Sequence, residues 1–210
     1  MASAEPAEHP AVTVIVCGAL AAQVRGVIKR RGFDAEVRPL PALLHDRPAL
    51  IAGEVERLAR SLQAEGRTVA LAYADCGTYG ALDAVCATLD LPRLRGLHCY
   101  DVLAGADQIS ELFADEPGTY LLTDFLVQSF RRTVVSELGL DRHPELRDDY
   151  FGNYRRVVWL AQHPTEALAR EADRVAAMLG LPLTVVTTGD GGIEREIERL
   201  LEEAALSTVP

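Results

Sequence analysis

The sequence predicts an α/β fold, a doubly wound and mainly parallel sheet with helices on both faces, and three observations carry that prediction. Apolar runs at 12–16, 68–73 and 157–161 lack the polar alternation of a half-exposed strand, as expected of parallel strands covered on both sides. Strand-like and helix-like stretches alternate along the whole chain, which is the pattern of repeated β–α–β units. The chain has 210 residues and is 49% hydrophobic, enough to bury a sizeable core, and it reads as a single domain over 11–206.

Taken in order, residues 1–10, rich in Ala, Glu and Pro, read as a disordered leader. A strand at 12–16 leads to a helix at 19–31 that Gly32 ends, and 33–38 form a second strand. Pro39, Pro41 and Pro48 punctuate a polar loop carrying His45, Asp46 and Arg47, ahead of an amphipathic helix at 49–64. The strand at 68–73 is followed by Asp75-Cys76-Gly77 and a helix at 79–89, then by a short strand that ends at His98. Residues 101–113 are expected as one helix and 118–122 as a strand. Thr123-Asp124 can cap a helix at 125–138, whose Phe125, Leu126, Phe130, Val134 and Leu138 share a buried side. A polar and aromatic connection with a short central helix carries Tyr150, Phe151 and Tyr154. Strands at 157–161 and 183–187 and helices at 166–179 and 193–205 complete the chain.

Charge and composition exclude several functions. The formal net charge of −10 repels phosphate backbones, and the basic pairs, Arg131-Arg132 among them, are scattered and read as solvated helix faces, so nucleic acid is not expected as a partner. No apolar run reaches the roughly 18 residues of a membrane span, and residues 1–10 lack the pattern of a signal peptide, so a cytoplasmic protein is expected. In that compartment the four cysteines are thiols: core residues, ligands or nucleophiles.

Three of the cysteines follow apolar runs. Cys17, Cys76 and Cys99 are expected to converge on one sheet edge as ligands of a shared zinc ion or iron–sulfur cluster. Cys86 sits among Leu82, Val85 and Leu89 on a helix face and reads as core. His98, beside Cys99, is a candidate ligand or general acid, and Asp101 a candidate for proton transfer. His45 and Arg47 can grip the carboxylate or phosphate of a substrate. Gly77 and Tyr79, in the turn after Cys76, are candidates to contact the cofactor, with Tyr79 helping to position the substrate, and Asp190 and Gly191 are further cofactor-binding candidates. Asp190 and Gly191, in a Thr-Gly-Asp-Gly-Gly loop ahead of the last helix, can cradle an anion, although the loop has neither a P-loop lysine nor a GxGxxG pattern.

The stretches VCGAL at 16–20, LHDRP at 44–48, YADCG at 73–77, LHCYD at 97–101 and GTYLLTDF at 118–125 together resemble the family known as domain of unknown function 1638. The resemblance covers nearly all of the chain after residue 10. It implies a link to corrinoid-dependent methyltransferase systems, hence one-carbon chemistry with a corrinoid protein as partner. The functional expectation is a metal-dependent enzyme acting on a small anionic substrate, by methyl or other group transfer or as a lyase. The alternative is a non-enzymatic carrier or sensor of a metal or corrinoid.

Overall fold

A computed structural model describes residues 11–206, so the expected leader lies outside the described residues. The fold is mixed α/β with parallel sheets, as the sequence predicts, but the strands divide into two three-stranded sheets. The chain forms two compact units, one running to Leu97 and resuming at Glu194, the other spanning His98–Ile193.

In the first unit β1 (Val12–Cys17) is the central strand, buried at every residue, with β2 (Ala35–Leu40) and β3 (Val69–Ala72) parallel on either side. The register sets Cys17 opposite Leu40 and Val16 opposite Ala72. Pro39 is tolerated because β2 is an edge strand. Helices α1 (Ala21–Arg31), α2 (Ile51–Ala64) and α3 (Ala81–Leu89) follow the three strands. The apolar stripe of α2, Ile51, Val55, Ala59 and Leu62, is buried at helical spacing. Arg67 is buried and satisfied, pairing with Glu36 and donating to the Thr13 hydroxyl.

The strand expected to end at His98 does not form. Pro92 has no N–H to donate and Gly96 turns to φ 115°, so only a single bridge between Leu71 and Arg93 remains. The segment still runs beside β3 as a rail. Leu71 donates to the Pro92 carbonyl at 2.9 Å, Asp75 to Gly96 at 3.2 Å and Cys76 to Leu97 at 2.8 Å.

In the second unit β5 (Arg156–Ala161) lies between β4 (Thr119–Thr123) and β6 (Leu183–Thr187), all parallel. The helix expected over 101–113 is two, α4 (Cys99–Ala104) and α5 (Ala106–Asp115), because Gly105 at φ 91° breaks the path. The helix expected over 125–138 starts as α6 (Asp124–Phe130), capped by the Thr123 hydroxyl, and widens into a π-helical turn at Arg131–Val135. The short helix α7 (Arg147–Phe151) and α8 (Glu166–Leu179) follow. The last helix, α9 (Gly191–Leu206), starts in this unit and continues in the first. Tyr120 meets Phe130, Phe151 and Tyr154 edge-on, and burial, with the neighbouring Tyr154, raises its hydroxyl pKa.

The buried carboxylate of Asp124 ties β5 to α6. It accepts from the Trp159 indole at 2.9 Å, the Gln162 amide at 3.3 Å and the His163 amide at 2.8 Å. Asp124→Ala strands those donors in a buried place, so it is expected to destabilise the protein by on the order of 3 kcal/mol. Denaturant titration read by Trp159 fluorescence measures the loss; a midpoint unchanged from that of the parent chain would show the network to be dispensable.

Candidate functional site

The C-terminal edge of the first sheet gathers Cys17, His45 and Cys76. Cys17 ends β1 and is followed by Gly18, where a Cβ would stand 2.6 Å from the Leu40 carbonyl oxygen and 2.7 Å from the Ala42 nitrogen. Only glycine lets the chain beyond β2 pack this closely, and that chain forms a 3-10 turn at Ala42–Asp46 carrying His45. The Cys17 sulfur lies 3.8 Å from both ring nitrogens of His45. Cys76 also hydrogen-bonds the ring, which stacks on buried Tyr73 with centroids 6.0 Å apart. Nδ1 faces the Ala42 carbonyl at 3.0 Å, which leaves Nε2 for the sulfurs.

Burial works against a charge on His45. The hydrogen bonds and negative charge of Cys17 and Cys76 outweigh it and raise the pKa from 6.5 to about 11. A raised imidazole pKa favours the charged ring, and a charged ring beside a sulfur is a setting that favours thiolate.

Cys76 is delivered by a turn that Asp75 holds together. The Asp75 carboxylate accepts from the amides of Gly77, Tyr79 and Gly80, each at 3.1 Å, and from the Thr78 hydroxyl at 3.2 Å. Partial burial opposes its charge, but these donors keep its pKa below the usual 3.8. They also offset backbone strain, since Cys76 and Tyr79 both sit at φ 50°, a left-handed conformation costing roughly 1–2 kcal/mol for a residue with a side chain. The result is a strand–thiol–helix elbow. The Cys76 amide is committed to Leu97 and the Gly77 amide to Asp75, so neither serves as an oxyanion donor.

The remaining expected residues fall in several places. Arg47 is exposed between two 3-10 turns, and no carboxylate pairs with it among the described residues. Its neighbour Pro48 lies 3.6 Å from where a Cβ on Gly77 would be. Tyr79 is 95% exposed. Cys86 is buried in α3, where burial, opposed by Arg93 and aided by Asp83, pushes its thiol up to about 11; it is chemically quiet.

In the second unit His98, Cys99 and Asp101 stand together at the start of α4. The His98 amide donates to the Asp101 carboxylate at 3.1 Å, an N-terminal cap that gives Asp101 a structural role. Asp190, ahead of Gly191 and α9, accepts from His163 Nε2 at 2.8 Å. His163 was not foreseen, although it follows the apolar run 157–161 by two residues, the position that singled out the cysteines. Among the described residues no three His, Cys, Asp or Glu side chains are grouped so as to hold a metal ion, and no helix is long and apolar enough to cross a membrane.

The elbow, the thiol pair and the cap at His98 all fall on the stretches that suggested a family, and a family model titled protein of unknown function (DUF1638) matches residues 39–197. The chain belongs to the DUF1638 family. No curated protein and no solved structure matches it. The match takes in His45 and Cys76 of the DUF1638 protein, while Cys17 precedes it.

The cluster predicts a reactivity. Cys76 should be alkylated at pH 7 faster than a free cysteine, and His45→Gln should slow it by about tenfold as the thiolate fraction drops. Gly18→Ala should slow it too, by displacing the turn that carries His45. Peptide mass spectrometry of timed iodoacetamide reactions gives the rates; an unchanged rate in His45→Gln would mean that the imidazolium does not govern the sulfur.

Proposed function

We propose that this DUF1638 protein is an enzyme that moves a small group through the sulfur of Cys76, with His45 as charged partner and a small anionic molecule as substrate. The observation that carries this reading is a single imidazole hydrogen-bonded to two thiols, one at the end of β1 and one in the turn that follows the parallel neighbour β3. Thiolate is the nucleophile, and an adjacent imidazolium favours it. Exposure divides the two sulfurs. Cys17 is 1% exposed and steadies the ring, whereas Cys76 is partly open to an incoming molecule.

In the first step the Cys76 sulfur bonds to an electrophilic carbon while the bond from that carbon to the leaving group breaks. The leaving group departs with the electron pair and takes a proton from His45. An acceptor then attacks the same carbon, the C–S bond breaks to restore the thiolate, and the acceptor's proton returns to His45. Arg47, exposed and without a carboxylate partner among the described residues, supports an anionic substrate. A methyl group in corrinoid-linked one-carbon metabolism is the transferred group that the family resemblance suggests.

A second reading is favoured by the donor chemistry. Two sulfurs and an imidazole nitrogen are a soft set suited to zinc with a position left open, although as they stand these three side chains are not grouped as a metal site. The Cys17 sulfur stands 3.8 Å from His45 Nε2, near the roughly 3.6 Å that tetrahedral zinc would impose. Bound zinc would keep a thiolate nucleophilic at neutral pH, and His45 would have to surrender its proton to join as a ligand through Nε2. Under a carrier role the same thiols would hold a metal without turnover.

Two measurements separate these readings. Elemental analysis and the absorption spectrum of anaerobically purified protein report stoichiometric zinc, a band near roughly 400 nm from an iron–sulfur cluster, or neither. Zinc lost in Cys76→Ser would favour the metal centre. For the thiolate enzyme, iodoacetate should react with Cys76 faster relative to iodoacetamide than it does with free cysteine, and Arg47→Ala should lower that ratio by up to about tenfold. A metal-free protein whose Cys76 reacts no faster than free cysteine would sink the enzyme reading.

A further inference from the structure

The second unit carries a cavity that the thiol chemistry does not use. It is an open groove of about 570 Å³ lined by Phe125, Gln128, Ser129, Arg131, Arg132 and Ser136, within the size range of small-molecule sites. Among the described residues no carboxylate pairs with Arg131 or Arg132, although the chain has a net charge of −10 and many of its other arginines form ion pairs. With no carboxylate beside them, both guanidiniums keep their donors for an anion that enters the groove.

The backbone under these arginines is a π-helical turn, a rare geometry that is frequent at functional sites. Here it is built into the sequence. The Ser129 hydroxyl donates to the Phe125 carbonyl at 2.7 Å, and the Thr133 hydroxyl donates to the Ser129 carbonyl at 3.0 Å. The Ser136 amide reaches back five residues to the Arg131 carbonyl at 2.9 Å. The side-chain hydroxyls thus back-bond to carbonyls of α6 immediately ahead of the widened turn.

We propose that this groove binds a small molecule through a doubly charged oxyanion group, a phosphate monoester or a pair of carboxylates, gripped by Arg131 and Arg132, with its apolar body against Phe125. Guanidinium forks match the oxygens of both groups, and the Gln128 amide and Ser136 hydroxyl add donors. The site lies wholly within the second unit and is independent of the chemistry proposed for Cys76.

Calorimetric titration of the full chain at low salt tests it with phenyl phosphate, phthalate, inorganic phosphate and neutral phenol. Phenyl phosphate or phthalate should bind, the stronger of the two naming the oxyanion. Phenol should not. Arg131→Ala and Arg132→Ala should each weaken binding by about tenfold or more, Arg131→Lys by less, and Phe125→Ala should remove the advantage of phenyl phosphate over inorganic phosphate. Affinity should fall as salt rises. The thermal midpoints of the arginine variants should match that of the parent chain, since both side chains are exposed. No binding of either aromatic anion, or binding that survives loss of both arginines, would overturn the proposal.

Discussion

Parallel pairing of β1 with β3 decides where sulfur chemistry can take place in the first unit. Parallel neighbours leave a sheet by the same edge, so whatever follows each strand is delivered to one place. Cys17 closes β1 directly, while the chain from β3 travels on from Ala72 to Cys76, and the 92–97 rail accepts the amide hydrogens that the sheet no longer takes. The register is hard to shift. β1 is buried on both faces, and a one-residue slip would turn Cys17 away from His45 while moving every packed side chain beside it.

Two charged groups sit at this edge, and each is stabilised differently. Asp75 is an anion satisfied by local amides, which ties its ionisation to the shape of one turn. The raised pKa of His45 comes from groups far away in sequence, which ties its charge to tertiary packing. The turn at 75–80 therefore keeps its form as long as Asp75 is ionised. The surroundings that raise the His45 pKa exist only while β1, the 3-10 turn at Ala42–Asp46 and the elbow are all in place.

How far the sequence could be read follows from the range of each interaction. Non-alternating apolar runs reveal buried parallel strands, because burial on both faces is a local property of the run, and so Cys17 and Cys76 were legible as strand-end thiols. Which strands pair is not local. The division into two sheets, and the loss of a strand at 92–98 to Pro92 and Gly96, depend on partners that the run itself does not specify. His45 was legible as a functional residue in a proline-bounded loop, but as a grip for substrate. Its role as partner of the thiols is set by the bare backbone of Gly18, which lets a turn 28 residues beyond Cys17 close over the sulfur. His163 was not legible because its partner Asp190 lies 27 residues away, and only the fold brings the two together. The π-helical turn escaped because Phe125, Leu126, Phe130 and Val134 keep an ordinary helical period through it.

The acidity of the chain bears on how an anion is captured. At physiological ionic strength the Debye length is about 8 Å, so the field of distant carboxylates is largely screened at any one point on the surface. What remains is the local balance. Exposed arginines such as Arg57, Arg60, Arg170 and Arg174 are each neutralised by a glutamate three or four residues away, and offer an approaching anion little attraction. Arg47 in the first unit, and Arg131 with Arg132 in the second, have no such neighbour among the described residues. A chain with an excess of carboxylates can therefore select small anions at a few short-range sites while its surface as a whole repels polyanions, because selection depends on where compensation is withheld and not on the sign of the net charge.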